Sequence, residues 1–202
     1  MAPLGWRLVT LCILGIATLL VIAGCGTGDD AVAQGENFEF VSPGGKTVIF
    51  YDPPSERGKV SNLTGPDLLS DDKTLSLSDF ENQVVVINVW GSWCGPCRGE
   101  ATALEEVYEN TKDSGVAFLG IDFRDRKDSA RDFVVDRAVT YPSIYDYDGR
   151  TLSKLTTPTS VVPTTLVLDR QHRAAAVFLK AVTAEELQPV VERIAAETSD
   201  NA

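Results

Sequence analysis

The sequence predicts an α/β fold, a mixed central sheet flanked by helices, and three observations carry that expectation. From about residue 60 the apolar pattern alternates between strand and helix. Val84-Val85-Val86-Ile87-Asn88-Val89-Trp90 is a continuous, largely β-branched run, the composition of a strand covered on both faces. Near the C-terminus the order becomes strand, strand, helix, which adds an antiparallel hairpin to the crossover pairs before it.

Phe38–Val41 and Thr47–Tyr51 read as two strands around a turn at Pro43-Gly44-Gly45, closed by Pro53-Pro54: an N-terminal β-hairpin extension spanning residues 37–59. The main domain is expected over residues 60–200. Behind the buried run at 84–90, Leu104, Val107, Tyr108 and Thr111 recur at helical spacing until Gly115 stops them. Val116–Ile121 makes the next buried strand, and Ser129–Arg137 aligns Ala130, Phe133 and Val134 on one helical face. Thr164–Leu168 and Ala174–Leu179 form two strands joined by a turn at 169–173. Thr183 with Glu186 is a capping box opening a last helix, with Leu187, Val190, Val191 and Ile194 inward. No glycine-rich phosphate pattern follows any strand.

The 202 residues suit one domain plus appendages, and a net charge of −11 argues against nucleic acid as a partner and against docking on anionic lipid through a basic patch. Residues 1–24 stand outside the fold: Arg7 precedes a nearly uninterrupted apolar stretch from Leu8 to Ala23, short for a spanning helix, which needs roughly 20 residues. Its end, Ile22-Ala23-Gly24-Cys25, resembles the lipobox of bacterial lipoprotein signal peptides, and that resemblance implies lipidation at Cys25. The alternative is an uncleaved anchor with an incidental cysteine. Both readings place the domain outside the cytoplasm, held at the outer face of the cell membrane. Residues 25–36 are small, polar and acidic, a flexible tether.

With Cys12 in the leader and Cys25 at its end, only Cys94 and Cys97 remain in the folded part. A loop this short constrains the unfolded chain little, so the pair is expected to do chemistry. Cys94 falls at a helix N-terminus, where unpaired N–H groups and the helix dipole favour a thiolate. Pro96 fits the first turn because its missing N–H needs no partner there. Cys97, one turn deeper, is shielded yet within reach. An exposed Cys94 thiolate attacks a substrate disulfide, and Cys97 then resolves the mixed disulfide. Zinc would need four ligands, and the single histidine, His172, falls in a predicted turn, so neither a metal site nor a Cys–His pair is expected. No cofactor beyond the redox pair is expected.

Trp93-Cys94-Gly95-Pro96-Cys97 after a buried strand resembles the thioredoxin active-site motif, and Val162-Pro163-Thr164-Thr165 resembles that fold's cis-proline loop. The resemblance implies a thioredoxin fold with the N-terminal hairpin and an extra strand/helix insertion at Ser129–Tyr145. It also implies a substrate-docking edge at Val162, Pro163 and Thr164, a form of strand addition. Asn88 stands where cytosolic thioredoxins usually place a buried aspartate, and Glu100 lies one turn below Cys97. With Gly65-Pro66-Asp67-Leu68 and Leu75–Phe80, these residues are similar to the TlpA/ResA-type thioredoxins, membrane-attached reductants of cytochrome c maturation, and to their actinobacterial (mycobacterial CcsX-type) members. That likeness implies support of the redox pair by Trp93, Gly95, Pro96 and Glu100, an apocytochrome c as disulfide substrate, and a CcdA-type membrane electron donor.

The sequence departs from the family at Thr102, where a proline is common, at Gly95-Pro96, which is the general thioredoxin dipeptide, and at Lys180, where a glycine is common. Thioredoxin, with that dipeptide, has a potential of about −270 mV against about −120 mV for the oxidant DsbA, so the pair leans toward reduction. Oxidative folding and copper-site assembly stay open as other redox tasks. A Cu(I) metallochaperone is a third reading, with two thiolates as a thin ligand set and Met1 the only methionine.

Overall fold

The computed structural model describes residues 37–40, 43–157 and 161–197. Its strands in chain order are β1 (Val48–Phe50), β2 (Thr64–Pro66), β3 (Thr74–Ser76), β4 (Val84–Trp90), β5 (Val116–Phe123), β6 (Ser143–Asp146), β7 (Thr164–Leu168) and β8 (Ala174–Phe178). The helices are α1 (Gly95–Thr111), α2 (Lys127–Asp136) and α3 (Ala184–Ala195), with short 3-10 turns between elements.

The apolar run at 84–90 becomes the central strand, and all seven of its residues are buried. Six strands join in the order β1-β8-β7-β4-β5-β6, with β2 and β3 forming a separate antiparallel pair. β4, β5 and β6 run parallel, while β7 is antiparallel to β4 and β8 to β7. That mixture is the thioredoxin arrangement. It brings the C-terminal ends of β4 and β5 and the N-terminal end of β7 to one edge, where the pairing of Val89 with Thr164 sets Pro163 beside the end of β4.

Each face of the sheet carries its own core. Val84, Val86 and Trp90 pack with Leu104, Val107 and Phe133 on one side. Val85, Ile87 and Val89 pack with Leu119, Ile121 and Leu166 on the other. The alternation follows from the two-residue period of a strand. Gly120 is required where β5 passes β6: a Cβ there would meet Ser143 Oγ at 2.1 Å and Trp90 Nε1 at 2.8 Å. Its absence leaves room for Trp90 Nε1 to donate to Ser143 Oγ at 3.3 Å. Thr183 and Glu186 form the expected capping box at the start of α3.

The N-terminal hairpin expected over 37–59 is not found among the described residues. Phe38–Phe40 form no strand, and Val48–Phe50 pairs with β8 as an edge strand of the main sheet. The reason is the open edge of β8, whose backbone groups need partners. Tyr51 N–H donates to Ala175 O at 2.9 Å and Ala174 N–H to Gly58 O at 2.9 Å, so the extension is stitched along the sheet. The segment at 129–145 is the end of α2 and the start of β6, the edge strand on the far side. Arg57 anchors the extension: its buried guanidinium bonds Tyr51 O (3.0 Å), Asp52 (2.9 Å), Asp169 (3.3 Å) and Glu197 (2.6 Å).

Candidate active site

The segment Gly91-Ser92-Trp93 leaves the end of β4 and turns into α1. Gly91 permits the turn, since a Cβ there would lie 2.6 Å from Trp93 Nε1 where the indole folds back. That Nε1–H donates to Phe123 O at the end of β5 (3.1 Å), and the ring is half exposed. Ser92 is clamped twice to Asp125, by its backbone N–H and by its hydroxyl (2.9 Å). Arg98 Nη1 donates to Ser92 O at 3.0 Å.

Cys94 is the N-cap of α1, and its sulfur accepts the N–H of Cys97 at 3.2 Å. This is one of the unpaired N–H groups of a helix start, directed at the atom where negative charge would develop. The two cysteines form a disulfide, their Cα atoms 5.3 Å apart. The expectation of an exposed Cys94 above a shielded Cys97 needs correction, because Cys94 is 3% exposed and Cys97 2%. Sγ of Cys94 is bonded to that of Cys97, and Val162 O lies 3.7 Å from it. The asymmetry is one of surroundings. Trp93, Gly95 and Pro96 beside Cys94 are open to solvent, while Cys97 lines a small void with Asn88, Trp90 and Tyr141.

The Val162–Pro163 peptide bond is cis, Pro163 is buried and Val162 is partly exposed. Thr164 is buried and donates its hydroxyl to Val161 O at 2.8 Å, which ties the loop before β7 to itself.

Glu100 is 2% exposed, and no cation among the described residues contributes to its proton affinity. Asn88 Nδ2 donates to its Oε1 at 3.0 Å and Val182 N–H to its Oε2 at 3.0 Å. Burial raises its pKa to about 7, and the two hydrogen bonds only partly offset that. A carboxyl group one turn below Cys97 is therefore able to take or give a proton near neutral pH.

Sequence reasoning passed over Asp122 and Asp125. Both are buried, and burial together with the neighbouring carboxylates Asp125 and Asp146 raises the Asp122 pKa to about 8. The available signal was an acidic residue inside the apolar strand Val116–Phe123. His172 sits in the β7–β8 turn, at the opposite end of β7 from Pro163, with Nε2 3.0 Å from Phe80 O. Among the described residues no three His, Cys, Asp or Glu side chains converge as a metal site, and no helix is long and apolar enough to cross a membrane. Cys12, Cys25 and the apolar leader lie outside the described residues.

The profile of the AhpC/TSA family matches residues 58–176, more than half of the chain. The chain belongs to the AhpC/TSA family. The chain is 45% identical to a secreted thiol-disulfide isomerase from Corynebacterium glutamicum, with a TM-score of 0.77 over 81% of this chain and 100% of that one. It is 51% identical to a DsbF homologue from Corynebacterium diphtheriae, with a TM-score of 0.73 over 78% of this chain and 99% of that one. The thiol-disulfide oxidoreductase ResA of Geobacillus kaustophilus is 28% identical over 118 residues, 58% of this chain and 67% of the relative. With Cys94 and Cys97 joined at the head of α1, this AhpC/TSA-family chain is a thiol–disulfide oxidoreductase similar to ResA.

Proposed function

We propose that the protein is a membrane-tethered, extracytoplasmic reductant of protein disulfides that serves cytochrome c maturation. The observation that carries this reading is the pairing of a Gly95-Pro96 redox loop with a buried, uncompensated Glu100 beneath it. The dipeptide favours the reducing end of the potential scale. Glu100, poised near neutrality, accepts the Cys97 proton as that thiol becomes the attacking thiolate.

In this mechanism Cys94 attacks a sulfur of the substrate disulfide and displaces the other sulfur as a thiolate. A mixed disulfide holds the substrate, whose extended chain lies along Val162, Pro163 and Thr164. Cys97, deprotonated toward Glu100, attacks Cys94, releases the second substrate thiol and closes the Cys94–Cys97 disulfide. Substrate leaves with two electrons more, and a CcdA-type membrane donor restores the dithiol. The C-x-x-C-H haem site of an apocytochrome c is the substrate that fits, because thioether formation needs both cysteines reduced. Residues 1–24 act as a lipoprotein signal peptide, Cys25 carries the lipid, and 25–36 serve as the tether to the domain that follows.

A second reading is favoured by the likeness to a secreted isomerase and to a DsbF homologue: oxidation or isomerisation of secreted folding clients. A Cys97→Ser variant expressed in the native host separates the two, because Cys94 then keeps its substrate as a mixed disulfide. Apocytochrome c among the trapped partners, with a midpoint potential near that of thioredoxin, is the expected result. Many secreted folding clients with no apocytochrome c, together with a potential near that of DsbA, would replace the first reading by the second.

A further inference from the structure

Two buried carboxyl groups that disulfide exchange does not use lie beside the loop that carries Cys94. Asp122, paired across the sheet with Trp90, is completely buried, and neither of its oxygens receives a hydrogen bond from a donor among the described residues. The group it faces is another acceptor, the Asp125 carboxylate, with Asp146 as a further negative neighbour. Asp125 is well supplied: it accepts both Ser92 contacts and its own neighbour's N–H, from Arg126, at 2.7 Å. Asp146 is satisfied by the N–H groups of Thr151 (3.1 Å) and Leu152 (2.8 Å).

Adjacent buried carboxylates resist ionising together, because desolvation and mutual repulsion each oppose the second charge. The proton goes to the group without donors. Asp125 already accepts from three donors, and a protonated Asp122 supplies an O–H where its own surroundings offer it none. We propose that Asp122 and Asp125 share one proton and work as a positioning pair, in which protonated Asp122 holds Asp125 on Ser92 and so fixes the loop leading into Cys94.

Loss of that proton sets two negative charges face to face and pushes Asp125 away from Ser92. The Asp122 pKa of about 8 puts this change in the mildly alkaline range. The other titratable and charged groups around the pair are few. From β6, Tyr145 donates its hydroxyl to Asp125 O at 3.0 Å, and its own pKa is raised by burial and by Asp122. From the start of α2, Lys127 is held by Asp71 at 2.6 Å and lies over the Tyr145 ring. From α1, Arg98 holds the carbonyl of Ser92, and β4 contributes the uncharged Trp90. Glu100 turns instead to Asn88 and Val182. The pair therefore acts separately from Glu100 and in either direction of electron flow.

The test follows the Ser92 amide and the Trp93 indole N–H by nitrogen–proton NMR of the oxidised full-length protein, in which Cys94 and Cys97 do not titrate. In the wild type both signals are expected to shift in one step near pH 8. In Asp122→Asn, whose amide donates to Asp125 at every pH, the step is expected to vanish and Ser92 to stay at its low-pH position. In Glu100→Gln the step is expected to persist. Asp122→Ser, a neutral donor of smaller size, gives the same reading if the asparagine variant does not fold. An unchanged step in the Asp122 variants, or no alkaline step in the wild type, overturns the proposal.

Discussion

Asn88 donates its side-chain amide to Glu100 Oε1 at 3.0 Å, across the gap between the central strand and the active-site helix, and also reaches Thr165 Oγ1 at 3.1 Å on β7. One side chain thus links the strand before the redox motif, the helix that carries it and the strand that follows the cis-proline. Because an amide cannot neutralise a carboxylate, the arrangement holds Glu100 in place while leaving burial to set its proton affinity.

From that geometry, Glu100→Gln removes the proton acceptor and keeps the shape. Release of substrate from the Cys94 mixed disulfide is expected to slow by about tenfold or more at neutral pH, and the pH–rate profile is expected to lose its inflection near pH 7. Stopped-flow measurement of the single-turnover release step checks this. An unaltered profile in the variant would remove Glu100 from the exchange chemistry.

The same burial has a cost in stability with a definite sign. Glu100 rises from 4.5 to about 7 and Asp122 from 3.8 to about 8, so between those values the folded chain binds protons that the unfolded chain has released. Stability from these two groups is therefore full at acid pH and is lost as pH rises through their folded pKa values. Each contributes a loss on the order of 3 kcal/mol or more across its window. Urea denaturation of the oxidised protein at a series of pH values is expected to show this decline, and the double variant Glu100→Gln with Asp122→Asn to flatten it. A stability that rises with pH over the same interval would contradict the assignment.

Arg57 is expected to be the costliest polar side chain of the extension to remove. Burial opposes its charge, but Glu197, Asp52 and Asp169 outweigh that and hold the guanidinium firmly protonated. Its side chain is fully buried, so Arg57→Ala strips partners from three carboxylates and from Tyr51 O at once. A loss of about 3–5 kcal/mol is expected, as for a broken buried pair. Chemical denaturation measures the loss, and limited proteolysis is expected to cut first near residues 43–60.

Three glycines give contrasting outcomes. Gly120→Ala drives a methyl into Ser143 and Trp90 and is expected to cost about 1–3 kcal/mol by overpacking. Gly91→Ala meets the Trp93 indole and is expected to expose that ring and shift its fluorescence. Gly95→Ala meets only Arg98 Nη2 at 3.8 Å, so stability is expected to stay within about 0.5 kcal/mol of wild type. Denaturation midpoints and tryptophan emission distinguish the three.

Much of this was legible in one dimension because it rests on local patterns. The buried run at 84–90, the helix starts at Cys94 and Thr183, and the hairpin around 169–173 all follow from apolar period and capping chemistry, and each forms where its residues predict it. The redox motif is local too: two residues, Gly95 and Pro96, separate Cys94 from Cys97, and a helix N-terminus supplies the rest. What the sequence left open was every pairing between distant segments. Val48–Phe50 carries the pattern of a strand but no sign of its partner, and the open edge of β8, 126 residues further on, decided it. Asp122 and Asp125 look like ordinary acidic residues of a charged chain. Only when β5 is enclosed by β4, β6 and the Ser92 loop do they become a buried pair, because the cost of a charge depends on what surrounds it and not on its neighbours in the chain.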